Sequence, residues 1–238
     1  MMISNIKLAI GIPCSFPFVP VSFFYSFVHM EKPNYEFIHA DNGPVDTLRN
    51  DIVEKALSLD CTHVLFMDVD QVYHEKTIPT LLSRRLPIVG AAVCRRYPPF
   101  DPIIMRIENG AYESTDEWNE NGVVECDATG SGCLMVETSV FKKLPYPWFR
   151  FQKHPENGMV IGEDIGFCQD AKAAGYRIFV DTSVPAGHMT TMIINRKTHL
   201  LYRSVKEKEH KINLELALKN DNKGAQGITK SLGEKNHG

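Results

Sequence analysis

The segment from His63 to Lys76, HVLFMDVDQVYHEK, runs apolar through Val64, Leu65, Phe66 and Met67 and then reaches Asp68 and Asp70, two carboxylates separated by one valine. On an extended strand residues i and i+2 project from one face, so the two acids would stand roughly 6 to 7 Å apart and repel each other. A hard divalent cation offsets such a charge: Mg2+ or Mn2+ takes oxygen ligands and shares its shell between one or two carboxylates and substrate phosphates. A solvated strand-to-helix turn, with Asp70 or Gln71 near the start of the next helix, accounts for the same residues without a ligand. The acidic pair alone does not choose between them, since D-x-D is common by chance.

The surrounding elements narrow the choice. KLAIGIP reads as a short buried first strand, and VSFFYSFVHMEK as a helix that begins just after Pro20. NYEFIHADN is a second strand closed by Asn42-Gly43-Pro44. With Asp46 as its N-cap, TLRNDIVEKALSLD then places Leu48, Ile52, Val53, Ala56 and Leu57 at helical spacing, and THVLFMDVD is a third strand. The β-α-β-α-β order predicts a parallel sheet, with ligands gathering beyond the carboxyl ends of its strands, where Asp41, Asp68 and Asp70 fall. TIPTLLSRRL reads as a helix and PIVGAAVCRRY as a buried strand. Residues 103–126 read as a hairpin region with Asn-Gly turn signals at 109-110 and 121-122. CLMVETSVFKKL passes from strand to helix, EDIGFCQDAKAAG is a helix ending at Gly175, and YRIFVDTSV is a late strand.

Composition sets the outer bounds. A chain of 238 residues with 43% hydrophobic content has enough apolar material for one large core. Its division is expected at 1–198 for the main domain and 199–238 for a charged C-terminal helix with a mobile tail. The formal charge of −3 gives no overall drive toward nucleic acid or anionic membrane, leaving Arg84-Arg85 and Arg95-Arg96 as local candidates for phosphate contacts. The six cysteines form no C-x-x-C pair and several lie in apolar runs, which fits reduced, structural thiols. Pro13, Pro17 and Pro20 interrupt the apolar N-terminal stretch, and the apolar run after Pro20 is shorter than the roughly 20 residues a membrane span needs. A cytoplasmic enzyme without a membrane span is the expectation.

Four motifs occur in one order: TLRND, FMDVD, ATGSGCLM and GEDIGFCQDAKAAGYRIFVDTSVPAGH. In this the chain resembles the GT-A glycosyltransferases, above all small soluble family-2-like members, over roughly residues 5 to 190. The resemblance implies an α/β, Rossmann-like fold with a mostly parallel central sheet, helices on both faces and a small antiparallel hairpin region. It also implies a nucleotide-diphospho-sugar donor, UDP- or GDP-linked, a Mn2+ or Mg2+ cofactor, and transfer of the sugar to an acceptor hydroxyl. By the same resemblance Asp70 binds the metal, Asp68 contacts the metal or the donor ribose, and His188 completes the metal shell. A neutral imidazole suits Mn2+; a structural histidine at a strand end is the alternative.

Glu163 and Asp164 match the family's acid pair, with Asp164 as general base on the acceptor; acids in the first turn of a helix are favourable without any such role. Arg49 and Asn50 match a pair suited to donor phosphates or the nucleobase, or are an exposed helix pair. Asp41 is a candidate nucleoside contact, and Ile12 and Pro13 candidate walls of the base pocket. Gly130 and Gly132 would let backbone approach the donor sugar, and Trp148 either floors a sugar or plugs the core. Asp68, Asp70 and His188 would then brace the donor diphosphate through the metal while Asp164 activates the acceptor, with inversion at the sugar.

Two other readings remain open. DVDQV satisfies D-x-D-x-[TV] of haloacid-dehalogenase-like phosphatases, in which Asp68 would be the nucleophile, although that motif ends the first strand there and two βα units precede it here. A catalytically inactive nucleotide-sugar-binding module is the second. Nucleotidyltransferases would need a glycine-rich N-terminal phosphate loop that this sequence lacks. Acceptors in question are a glycan, a small metabolite, a protein side chain or a modified DNA base.

Overall fold

The computed structural model describes residues 6–115, 118, 122–154 and 158–212. The chain divides into two units, Met1–Thr190 and Thr191–Gly238. The first opens with β1 (Leu8–Pro13), α1 (Val21–His29), β2 (Tyr35–Ala40), α2 (Val45–Ser58) and β3 (His63–Met67), then β4 (Gln71–Val72), α3 (Thr77–Arg84) and β5 (Ile88–Val93). It continues through β6 (Ile104–Glu108), β7 (Ala111–Ser114), β8 (Val123–Cys126), β9 (Ala128–Thr129), β10 (Cys133–Glu137) and α4 (Thr138–Phe141). The last elements are β11 (Gln152–Lys153), β12 (Val160–Ile161), α5 (Glu163–Ala173) and β13 (Ile178–His188).

The central sheet has the order β2-β1-β3-β10-β5-β13-β4, with β8 on β13. β2, β1 and β3 are parallel, β10 is antiparallel to both β3 and β5, and β13 is parallel to β5. Five strands therefore point the same way, with β10 reversed among them.

Side chains along each central strand alternate between two cores, as the pleat requires. Leu8, Ile10, Ile12, Leu65, Met67 and Met135 face the core that α1 and α3 cover with Phe23, Ile78 and Leu81. Ala9, Val64, Phe66, Leu134 and Val136 face the one covered by α2, α4 and α5 with Leu48, Ile52, Phe141 and Phe167. Helices thus lie on both faces. α2 sits so close to β1 that a Cβ at Gly11 would stand 2.3 Å from Ile52 Cγ2.

The expected Asn-Gly hairpin is present between β6 and β7: Asn109 and Gly110 both have positive φ, 50° and 81°, and Glu108 pairs with Ala111 across a two-residue turn. Asn121 of the second expected turn lies outside the described residues. β9 adds to β6, making a small three-stranded sheet.

Two expectations change. Pro44, not Asp46, is the N-cap of α2, which begins at Val45 and carries Asp46 in its first turn. β3 ends at Met67, so Asp68 and Asp70 sit in a turn, not on one strand face. Arg84, a candidate for phosphate contacts, has a partner within the fold: its Nε donates to the fully buried Asp181 at 2.6 Å. All six cysteines are free, five of them buried. In the second unit the chain is helical over 196–212, and the expected tail lies outside the described residues. No helix among the described residues is long and apolar enough to cross a membrane.

Candidate active site

The turn after β3 is clamped to the start of β10. Asp68 N donates to Gly132 O at 2.9 Å, and the buried Tyr73 hydroxyl lies 2.7 Å from Asp68 O and 2.9 Å from Gly132 O. Gly132 is required here for a reason other than sugar contact: a Cβ would stand 2.1 Å from Gln71 Nε2 and 2.9 Å from Asp68 Oδ2. Gly130 is under less constraint, since its Cβ would meet only ordinary contacts, Asp164 Oδ2 at 3.8 Å among them.

Arg49 organises the acids. Its side chain is only 4% exposed; Nη2 donates to Asp68 Oδ2 at 3.2 Å, Nε to Glu163 Oε1 at 3.2 Å, and Nη1 to the carbonyl of Ser131 at 3.3 Å. Burial alone would weaken its charge, but Asp68 and Glu163 outweigh that and hold the guanidinium firmly protonated. Arg49 therefore joins two carboxylates beneath the site and does not line the cleft beside the turn after β3. Asn50 is likewise a clamp: its amide donates to Phe149 O and Asp46 O and accepts from Phe149 N. The residue it holds, Phe149, stacks on Phe167 at 4.8 Å and meets Phe66 edge-on at 5.1 Å, forming the aromatic floor beneath β3.

Asp70 lies at the other end of the turn. Its Oδ2 receives Arg96 Nη1 at 2.7 Å and faces His188 Nε2 at 3.4 Å. His188 is delivered by the last residue of β13, which pairs with β4, and its Nδ1 lies 2.8 Å from Cys94 O. Burial pushes the Asp70 carboxyl up, but the hydrogen bond and charge of His188, with Arg96, outweigh it and hold it below the ordinary range. The same bond to Asp70 raises His188. The mutual repulsion inferred from D-x-D is thus met by Arg49 on one acid and Arg96 on the other, and by itself does not demand a metal.

The donor set does fit one. If Nδ1–H donates to the Cys94 carbonyl, Nε2 turns its lone pair on a carboxylate oxygen 3.4 Å away. Two facing acceptors need a proton or a cation between them, and a carbonyl behind the ring is the usual support of a ligating histidine. Among the described residues no three His, Cys, Asp or Glu side chains gather into a cage. Asp70 and His188 could supply two ligands to an ion whose remaining shell substrate phosphates and water would fill. Asp68 belongs to Arg49 on one side, while its Oδ1 is buried with no partner among the described residues.

α5 supplies the second acid pair. Gly162 is its N-cap, and a Cβ there would come within 2.7 Å of Asp164 Oδ1, which accepts from Ile165 N at 2.8 Å. Glu163 is buried on Arg49. Burial first, and then the neighbouring Glu163 charge, push the Asp164 carboxyl up to about 6 against the weaker pull of the Ile165 amide and Arg49.

A cleft of about 440 Å³ opens beside the turn after β3, with Pro13, Phe16, Phe18 and Leu48 on its apolar side and Asp68, Asp70 and Arg96 on its polar side; Glu163, Asp164 and His188 do not line it. Ile12 is buried beneath it, and Asp41 is exposed at the end of β2 without lining it. Trp148 is a core residue: its indole N–H donates to Phe141 O at 2.8 Å and its ring packs edge-on against Phe141. Phe16 and Phe18 are cleft residues that the sequence raised only as part of an apolar N-terminal run. Their place directly after the first strand of a parallel sheet was the available signal. The structure adds Tyr73 as well, whose position five residues past Asp68 carries no local pattern.

No protein-family model matches the chain, and no curated protein matches its sequence. Solved structures do resemble it. The crystal structure of A197 from STIV aligns with a TM-score of 0.54 at 18% identity, over 78% of this chain and 86% of that one. GalNAc-T7 with UDP, GalNAc and Mn2+ gives 0.51 at 9% identity, over 79% and 44%. S. aureus TarS 1-349 in complex with UDP-GlcNAc gives 0.50 at 15% identity, over 79% and 60%. The fold is GT-A. The chain spans most of A197 but under two thirds of the other two. In this GT-A sheet the turn after β3 and the end of β13 lie at the carboxyl edge, where open α/β sheets take their ligands.

Proposed function

We propose that the chain is a glycosyltransferase that moves a sugar from a nucleoside-diphosphate donor to an acceptor hydroxyl, with inversion. One observation carries this reading: Arg49 ties Asp68, beside the cleft, to Glu163, beside Asp164, so that a donor-side acid and an acceptor-side base are fixed in one buried network. The apolar wall of Pro13, Phe16 and Phe18 suits a nucleoside, and Asp68, whose partly exposed side chain lines the same cleft, suits a ribose hydroxyl. Asp70 and His188 would hold Mn2+ or Mg2+, which when bound stabilises the charge of the departing diphosphate. Asp164 takes the proton of the acceptor hydroxyl as its oxygen bonds to the anomeric carbon and the bond from that carbon to the diphosphate breaks. A carboxyl at about 6 is well matched to that transfer near neutral pH.

The phosphatase alternative loses support, because Asp68 comes after the third strand and its carboxylate is bound to a buried arginine. UDP-sugars are the first donors to test, given the ligands of GalNAc-T7 and TarS; GDP-sugars come second. The experiment is release of UDP or GDP from a panel of sugar donors with Mn2+ and with glycan, metabolite, peptide and nucleobase acceptors, with the product anomer read by NMR. Turnover should fall at least about 100-fold in Asp164→Asn and Asp70→Asn. Unimpaired turnover in both variants refutes the mechanism, and donor binding without turnover against any acceptor marks a binding module instead.

A further inference from the structure

Two arginines touch the acid turn, and they are held in opposite ways. Arg49 is buried and its guanidinium is committed to three acceptors. Arg96 lines the cleft with a side chain 44% exposed, and its guanidinium donates to Asp70 Oδ2, the oxygen that also faces His188 Nε2. A cation held between Asp70 and His188 would need that oxygen. The backbone around Arg96 is pinned, since Cys94 bridges to Pro102 and Arg95 N donates to Asp101 O at 2.8 Å. The guanidinium is therefore released by side-chain rotation alone, and a half-exposed ion pair is weak enough to be exchanged.

We propose that Arg96 is a resident cation of the site that exchanges partners on substrate entry. With the site empty it neutralises Asp70; when a divalent ion and a nucleoside diphosphate enter, it yields Asp70 to the ion and turns its planar fork onto the diphosphate. This rests on the reading of Asp70 and His188 as metal ligands. Its consequence is coupling: the ion alone must displace Arg96, whereas a diphosphate gives the displaced guanidinium a new partner, so each ligand strengthens the other's binding, and reciprocally. The device also keeps a positive charge next to the diphosphate as the sugar leaves it.

The test titrates Mn2+ by electron paramagnetic resonance into nucleotide-free protein, and UDP and GDP by calorimetry at saturating Mn2+, for wild type, Arg96→Gln and Asp70→Asn. In Arg96→Gln, Mn2+ binding to the nucleotide-free protein should tighten about 3- to 10-fold. Diphosphate binding should weaken about 10-fold or more. Unchanged or weaker Mn2+ binding in Arg96→Gln, or unchanged diphosphate binding, overturns the exchange even where Asp70→Asn abolishes the metal. If Asp70→Asn binds Mn2+ as wild type does, the metal reading itself has failed, and the exchange with it.

Discussion

Replacing Asp164 with asparagine should make the protein more stable while silencing it. The Asp164 carboxyl is pushed from an ordinary 3.8 up to about 6, mainly by burial. A rise of about two pH units corresponds to ~3 kcal/mol of folding free energy lost on ionisation. The side chain keeps a partly exposed edge, so we take about 2 kcal/mol. The sign comes from proton binding: between pH 4 and 6 the folded state holds the proton more tightly than the unfolded chain. Wild type therefore loses this stability as pH rises through that window and does not regain it above. Asparagine retains the acceptor for Ile165 N without the charge. Thermal unfolding at pH 8 should then show Asp164→Asn melting about 4 to 8 °C above wild type, with the gap closing as pH falls toward 4. A gap that is absent at pH 8, or equal at every pH, would refute the placement of an ionised, poorly compensated carboxylate at the head of α5.

The same group predicts the rate profile: kcat should rise with pH through about 6 and level off above it, because the base must be ionised to accept a proton; a profile flat from pH 4.5 to 8 contradicts the assignment. Gly132→Ala places a methyl 2.1 Å from Gln71 Nε2 and 2.9 Å from Asp68 Oδ2, and should weaken donor binding about 10-fold or more by calorimetry, as Asp68 must move. Arg49→Leu leaves Asp68 and Glu163 without their shared cation and should cost about 3 to 5 kcal/mol in urea unfolding. Trp148→Phe removes the indole bond to Phe141 O and should lower stability by about 1 to 2 kcal/mol with donor and acceptor KM unchanged; a raised KM would return Trp148 to the site.

Much of the fold is legible in the chain because its local signals agree. The strands β1, β3 and β5, free of Asp, Glu, Lys and Arg, a proline-led α1 and the Asn109-Gly110 turn each point to the element that forms. The direction of β10 is not legible, because a strand buried on both faces shows the same apolar run either way round. The turn after β3 reads as strand because Asp68 and Asp70 continue an apolar run whose ladder stops one residue earlier, at Met67. Arg49 does leave a trace. It is in helical phase with Ile52, Val53 and Ala56, all fully buried, and a charge on the buried stripe of a helix announces that partners of opposite sign lie elsewhere in the chain. Those partners, 19 and 114 residues away, have no local signature.

The reversed strand β10 also dictates an order of assembly. β3 and β5 are close in sequence but never touch as neighbours; β10, some forty residues beyond β5, must slot between them. Until Cys133–Glu137 leaves the ribosome, the nascent chain carries two inner edges, β3 and β5, both apolar and both with unpaired backbone groups. Such edges recruit other chains. The late insertion that brings Gly132 against Asp68 therefore also covers both of these facing edges, leaving the far side of β5 to β13, so variants that slow β10 docking should lose soluble yield during synthesis even where the finished fold tolerates them.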